Sequence, residues 1–254
     1  MNLHRNRSVQ AWAQYFIGGG KPTFSNYWPP IARFWTCQII FLCSVLALPA
    51  QITGGTVVAW GGTVAPAGLT NAIAIAGGNG FSLGLNGNGT VVGWASDGSS
   101  LTNIPGNLTN AAAIAVGDYG TMALLSDGTV VDWGDNSSDQ TNVPSGLMNV
   151  TAISCGYGAS YALRSDGTVV AWGADFSGQI EVPITCTNVE AIAGAGWSCL
   201  ALKSDGTVLG WGDDSFGQID VPPDLTNAVA IAGGFDHSLA LKYDGTVVPW
   251  GSSA

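Results

Sequence analysis

Few residues in this chain could do chemistry. Asp118, Asp213, Asp214 and Asp236 stand in short polar loops, and His237 follows the last of them. Loop carboxylates can serve a hydrolase as general acids, bases or metal ligands. Such catalysis also needs a nucleophile and histidine in register, or metal ligands in pairs, and neither accompanies these acids. The sequence therefore assigns no catalytic residue, no metal and no cofactor, and His237 reads as a structural or contact residue rather than a base. Cys155, Cys186 and Cys199 fit no zinc spacing and fall at small-residue positions, where buried thiols are expected. The better signal is aromatic. Phe81, Tyr119, Tyr157, Trp197 and Phe235 recur at intervals of 38, 38, 40 and 38 residues. Large aromatics anchor interfaces. With Asp236 and His237 they form the candidate binding set. They either present a surface to a protein or glycan, or fold inward to plug a channel.

The elements that position these residues are written in a repeat. "SDGTVVAWG" (Ser165–Gly173) has relatives at Gly54–Gly61, Gly87–Ala95, Ser126–Gly134, Ser204–Gly212 and Tyr243–Gly251. Their tryptophans, Trp60, Trp94, Trp133, Trp172, Trp211 and Trp250, are spaced 34, 39, 39, 39 and 39 residues apart. A fixed period of this size marks a repeat architecture. Each unit holds three strand-like runs: a small apolar one such as "AVAIAGG" (Ala228–Gly234), an alternating one such as "HSLALKY" (His237–Tyr243), and "TVVPW" (Thr246–Trp250). The Asp-Gly pair between the second and third predicts a tight type I′ hairpin. Turn chemistry accounts for those aspartates without calcium. Runs of Ala and Gly suit strands crowded by neighbours, as at the axis of a β-propeller, and the tryptophans then fill the gaps between blades. "GQIDVP" (Gly217–Pro222) is expected to be a short edge strand.

The chain divides at residue 50. All four basic residues of the leader precede residue 34, and "CQIIFLCSVLALPAQ" (Cys37–Gln51) has the length of a signal-peptide core rather than a membrane span. Residues 1–50 are expected to be a leader and signal peptide, cleaved near Ala50, with residues 51–254 forming the repeat domain. Export to the medium, periplasm or cell surface follows, with no stable membrane span after cleavage. Beyond residue 50 there are 17 acids and three bases, a balance that excludes nucleic acid as a partner.

The wording of the unit, clearest at Gly234–Gly251 and Gly212–Gln218, resembles the regulator of chromosome condensation repeat. Over roughly residues 54–251 the resemblance implies an all-β fold, a β-propeller of antiparallel blades. Six TVVxW strands against five inner hairpins make about five full blades plus a partial one. The nuclear exchange activity of the founding member does not carry over to a chain with this leader and charge. A plant ultraviolet receptor of the family is set aside because only Gly196-Trp197-Ser198 remains of its motif. "VVAWG" and "HSLALK" are similar to secreted bacterial members, the propeller-type β-lactamase inhibitory proteins. In those, aromatic residues before the middle strand form a binding ring, and the matching positions here are Gly80, Tyr119, Gly158, Trp197 and Asp236. The resemblance implies a secreted, non-enzymatic module that binds a protein or ligand through one loop face. The alternatives are an inhibitor of β-lactamase- or transpeptidase-type enzymes, or a propeller hydrolase or glycan-binding protein.

Overall fold

A computed structural model describes residues 55, 57–59, 65–95 and 100–252. The leader, the apolar run Cys37–Gln51 and Trp60 lie outside the described residues. The described chain is all-β, with five sheets of three antiparallel strands each. Blade 1 is β1 (Ala72–Gly77), β2 (Phe81–Asn86) and β3 (Val91–Ala95). Blade 2 is β4 (Ala111–Val116), β5 (Gly120–Leu125) and β6 (Val130–Gly134). Blade 3 is β7 (Val150–Cys155), β8 (Ala159–Arg164) and β9 (Val169–Gly173). Blade 4 is β10 (Val189–Ala195), β11 (Ser198–Lys203) and β12 (Val208–Gly212). Blade 5 is β13 (Ala228–Gly233), β14 (His237–Lys242) and β15 (Val247–Gly251). The partial sixth unit enters as one antiparallel bridge, Gly55 to Ala72.

Each inner strand is rich in small residues because the neighbouring blades leave little room for larger ones. A side chain on Gly194 would meet the Cys155 carbonyl oxygen at 2.5 Å, and one on Gly117 would run into the carbonyl of Gly156. Every inner strand opens with a register shift, as between Ala228 and Ala230. Before each stands an asparagine at positive φ: Asn71, Asn110, Asn149, Asn188 and Asn227. Asparagine tolerates this left-handed conformation better than most residues. Its carbonyl accepts the N–H that follows the middle strand of the same blade, as Tyr243 to Asn227 at 3.0 Å.

The hairpins form where Asp-Gly predicts them, but the turn differs from the expected type I′. Only the glycine has positive φ, 81° at Gly128. The Gly128 N–H bonds the Leu125 carbonyl, and the Leu125 N–H bonds that of Thr129. This is a three-residue loop, a right-handed turn closed by a left-handed glycine. The extra loop residue lets the aspartate stay right-handed. Asp127 Oδ1 then accepts the N–H of Thr129 at 3.0 Å and its hydroxyl at 2.6 Å.

The expected edge strand Gly217–Pro222 is likewise a turn. Its work is done by Gln218, whose side-chain oxygen accepts the Phe216 N–H while its main-chain carbonyl accepts the indole N–H of Trp250 at 2.9 Å. Gln140 holds Trp172 and Gln179 holds Trp211 in the same way, and Leu101 takes this place for Trp133. A strand ladder would leave these buried indoles without an acceptor, so the segment turns a carbonyl inward instead. The loop after one blade thus staples the tryptophan of the next. Trp133, Trp172, Trp211 and Trp250 are buried and Trp94 is half-buried.

The core is a series of interfaces between consecutive blades. Leu200 and Leu202 of blade 4 pack on Ile231, Ala240 and Trp250 of blade 5, and the preceding pairs repeat the arrangement. Cys155, Cys186 and Cys199 lie buried in the same series as free thiols.

Candidate binding face

The loops between inner and middle strands emerge at one end of the blades, and the outer strands return to that same end. Asp135 and Asp213 donate their N–H groups to the carbonyls of Tyr119 and Trp197 at 2.9 and 3.0 Å. This close return explains the glycine after Trp133, Trp172, Trp211 and Trp250. Gly212 has φ 103°, and a side chain there would meet the Trp197 carbonyl oxygen at 2.6 Å.

The loop tips also lean on one another across blades. The Tyr157 N–H bonds the Gly196 carbonyl at 2.7 Å, and Gly196 abuts the carbonyl of Phe235. Successive tips therefore carry their side chains toward a common centre. The Tyr157 ring lies 4.7 Å from that of Tyr119, edge-on, and 4.4 Å from that of Trp197. It also lies 5.8 Å from Phe235, two blades away. The Tyr119 and Tyr157 hydroxyls share a hydrogen bond of 2.8 Å. That bond, with some desolvation, pushes the Tyr157 hydroxyl up to about 12, so it stays protonated at neutral pH. Tyr119 and Phe235 remain 41% and 45% exposed, while Tyr157 and Trp197 are half-buried.

Four of the five expected aromatics therefore meet. Phe81 does not. It is the first residue of a strand rather than a loop residue, and its ring is buried beneath Gly78 and beside Val116. Phe176, unforeseen from the sequence, joins instead, 5.5 Å from Trp197 and 73% exposed. Its signal was an apolar residue in the loop "GADFSGQ", whose counterparts are polar at that position. Asp236 and His237 flank Phe235. His237 is exposed with its ring over Gly234, and the Asp236 carbonyl accepts the Ser252 N–H at 2.8 Å.

The two ends of the blades differ in charge. The three described bases, Arg164, Lys203 and Lys242, all close middle strands at the hairpin end, beside Asp166, Asp205 and Asp244. The aromatic end carries Asp118, Asp135, Asp175, Asp213, Asp214 and Asp236, and no Lys or Arg among the described residues. Two candidate catalytic acids are committed to their own loop. Asp213 accepts the Ser215 hydroxyl and the Gln218 amide, each at 2.7 Å, and Asp214 accepts the Ile219 N–H at 3.2 Å. The acid with the largest displacement is elsewhere. Asp132 faces blade 3 from β6, accepts the Ser160 hydroxyl at 2.8 Å, and is pushed up to about 7 by burial. Its Oδ1 has no hydrogen-bond partner.

Sheets of small inner strands, stapled tryptophans and a single loop face define a β-propeller repeat protein. Residues 111–140, 150–179 and 190–218 match the family model of the regulator of chromosome condensation (RCC1) repeat, so these three segments are RCC1 repeats. No curated protein matches it. Among solved structures it is similar to the CRINKLY WD40 ectodomain of the Arabidopsis thaliana receptor kinase ACR4, at 24% identity and TM-score 0.60, over 74% of this chain and 71% of that one. The ectodomain of the Physcomitrella patens receptor kinase CR4 aligns at 23% identity and TM-score 0.63, over 75% and 54%. Prp20p of Saccharomyces cerevisiae, whose binding to Gsp1p and histones has been studied, aligns at 22% and 0.60, over 73% and 58%. These likenesses establish the fold. The chain spans little more than half the length of the latter two.

Proposed function

We propose that this propeller is an exported, non-enzymatic module that binds a protein partner through its aromatic face. The observation that carries the reading is the meeting of Tyr119, Tyr157, Trp197 and Phe235, from four successive blades, on a face without described bases. Half-exposed aromatics supply contact area at little entropic cost, and the surrounding acids favour a partner that presents Lys or Arg. Replacing Trp197 with Ala should weaken the partner by roughly 2 kcal/mol or more, while Asp166→Asn on the hairpin face should leave affinity unchanged. Equal losses from both would reduce the attraction to bulk charge and remove the aromatic face from the account. A narrower reading, from the aromatic Tyr119 and Trp197 at the ring positions, is inhibition of β-lactamase- or transpeptidase-type enzymes. Titration against a purified serine β-lactamase tests it, with inhibition expected to vanish in Trp197→Ala. Export rests on Cys37–Gln51, and a mature product beginning near Gln51 in a secreting host is its test.

A further inference from the structure

The three glutamine loops that staple the tryptophans share one plan, and one of them departs from it. In the loop after blade 2, Gln140 Oε1 accepts the Ser138 N–H at 2.7 Å, and its Nε2 donates to Asp135 at 3.0 Å. In the loop after blade 4, Gln218 makes the same pair of bonds with Phe216 and Asp213, at 2.9 and 2.7 Å. After blade 3, Gln179 Oε1 accepts the Ser177 N–H at 2.7 Å, but Ala174 stands where the other loops have Asp135 and Asp213. Gln179 is fully buried, and its Nε2 has no hydrogen-bond partner among the described residues. Asp175 does not substitute. Its Oδ1 faces the Ile180 N–H, as Asn136 and Asp214 face those of Thr141 and Ile219. An unmade bond at a buried amide is costly, and the other two loops show that the fold does not force it.

The orphaned donor lies at the aromatic end. Asp135 and Asp213 bond the carbonyls of Tyr119 and Trp197, whereas the Ala174 N–H donates to the Gly158 carbonyl at 2.8 Å. Blade 3 therefore places two small buried residues, Gly158 and Ala174, where blades 2 and 4 place an aromatic ring and a carboxylate. Tyr157, next to Gly158, and Phe176, two residues from Ala174, both reach the Trp197 ring, at 4.4 and 5.5 Å. Phe176 is 73% exposed and takes the position of Ser137 and Ser215, whose hydroxyls bond the loop carboxylate elsewhere. The lost acceptor and the added ring thus fall in one loop, beside the aromatic cluster.

We propose that the Gln179 amide is a binding subsite of this face, and that it takes a main-chain carbonyl oxygen from a Lys- or Arg-bearing segment of a partner protein as Phe176 gives way. The inference rests on the aromatic-face reading. The acceptor is neutral because Asp175, Asp213 and Asp214 stand in the adjoining loops and no described Lys or Arg offsets them at this end. The same acids, with the Trp197 indole, favour a cation carried beside that carbonyl. The partner completes the bond that Asp135 and Asp213 complete internally, and Gln140 and Gln218 offer it nothing.

Amide NMR of the isotope-labelled full chain, titrated with N-acetyl-arginine methylamide, tests this. The Gln179 side-chain amide should shift together with the Trp197 indole N–H, while the amides of Gln140 and Gln218 hold still. Ala174→Asp supplies the carboxylate of the other two loops. It should raise the melting temperature and weaken the probe about tenfold, the worth of one hydrogen bond. A shift at Trp197 with none at Gln179 would overturn the subsite and leave the aromatic face standing. So would an Ala174→Asp chain that melts higher and binds the probe as before, because the orphaned donor would then be a packing fault alone. No shift at either residue would overturn both readings. Larger shifts of both with di-N-acetylchitobiose than with the arginine probe would overturn the peptide occupant in favour of a glycan. The wild-type titration stands whether or not the variant folds.

Discussion

Blades 4 and 5 are spelled almost alike and buried quite differently. "SCLALKSDGTVLGWG" and "HSLALKYDGTVVPWG" occupy the same strands in the same register. Yet the middle strand of blade 4 is buried along nearly its whole length, and that of blade 5 alternates between buried and open. Nothing within either blade accounts for this. Among the described residues, blade 4 has a neighbour on the face that presents Leu200 and Leu202, and blade 5 has none on the matching face. The stability of a repeat lies largely in its interfaces, so the same leucine is core in one copy and surface in the next.

The covered interfaces are most sharply probed where one holds a carboxylate. Asp132 sits between blades 2 and 3 with its pKa raised from 3.8 to about 7. Between those values the folded chain holds a proton that the unfolded chain has lost. Stability from this group is therefore full below the unfolded value and falls as pH rises through about 7. The loss should approach about 4 kcal/mol between pH 4 and pH 8. Urea melts across that range should show the decline in the wild type and flatten in Asp132→Asn. The turn aspartates Asp127, Asp166, Asp205 and Asp244, held low chiefly by threonine hydroxyls, act oppositely and only in acid. An unchanged slope in Asp132→Asn would mean that water reaches the interface.

The paired leucines test the comparison directly. Leu200→Ala should cost about 3 kcal/mol, the loss of a fully buried side chain plus its cavity. Leu239→Ala, 39 residues later, should cost about 1 kcal/mol or less in dilute protein. Equal costs in denaturant melts would break the comparison and show that blade 5 is covered.

The hairpin glycines offer a finer contrast. Gly206→Ala meets both a left-handed backbone and the Asn227 main chain, and about 2 kcal/mol is expected. Gly245→Ala meets the backbone penalty alone, about 1 kcal/mol. A comparably small effect should come from Trp197→Ala. The ring is half-buried over its neighbours and plugs no closed core, so a thermal melt should register about 1 kcal/mol. A loss near 3 kcal/mol would make the aromatic cluster a structural plug rather than a docking surface.

Much of this was readable one unit at a time. The period, the Asp-Gly hairpins and the small inner strands follow from local patterns that every copy repeats. The αL asparagines were equally repeated, in "TNA", "MNV" and "TNV" before each inner strand, but the sign of φ is not written in an asparagine as it is in a glycine. The glutamine loops were misread as strands because short runs such as "QIDVP" carry a strand-like alternation. Their purpose lies 32 residues away, in the indole of the following blade. Phe81 was misplaced for a related reason. One residue separates the loop tip from the first strand position, and that single step moves a ring from the aromatic face to the core.

The sequence by itself determined the elements: which residues turn, which alternate, which are small, and that the same unit is built over and over. Those properties rest on backbone conformation and side-chain size, which each residue carries with it. The tertiary structure alone decided which copies of a leucine are buried, which acid is pushed toward neutrality, and which four aromatic rings touch. These depend on what lies across an interface, and identical strands cannot announce whether a neighbour stands beside them.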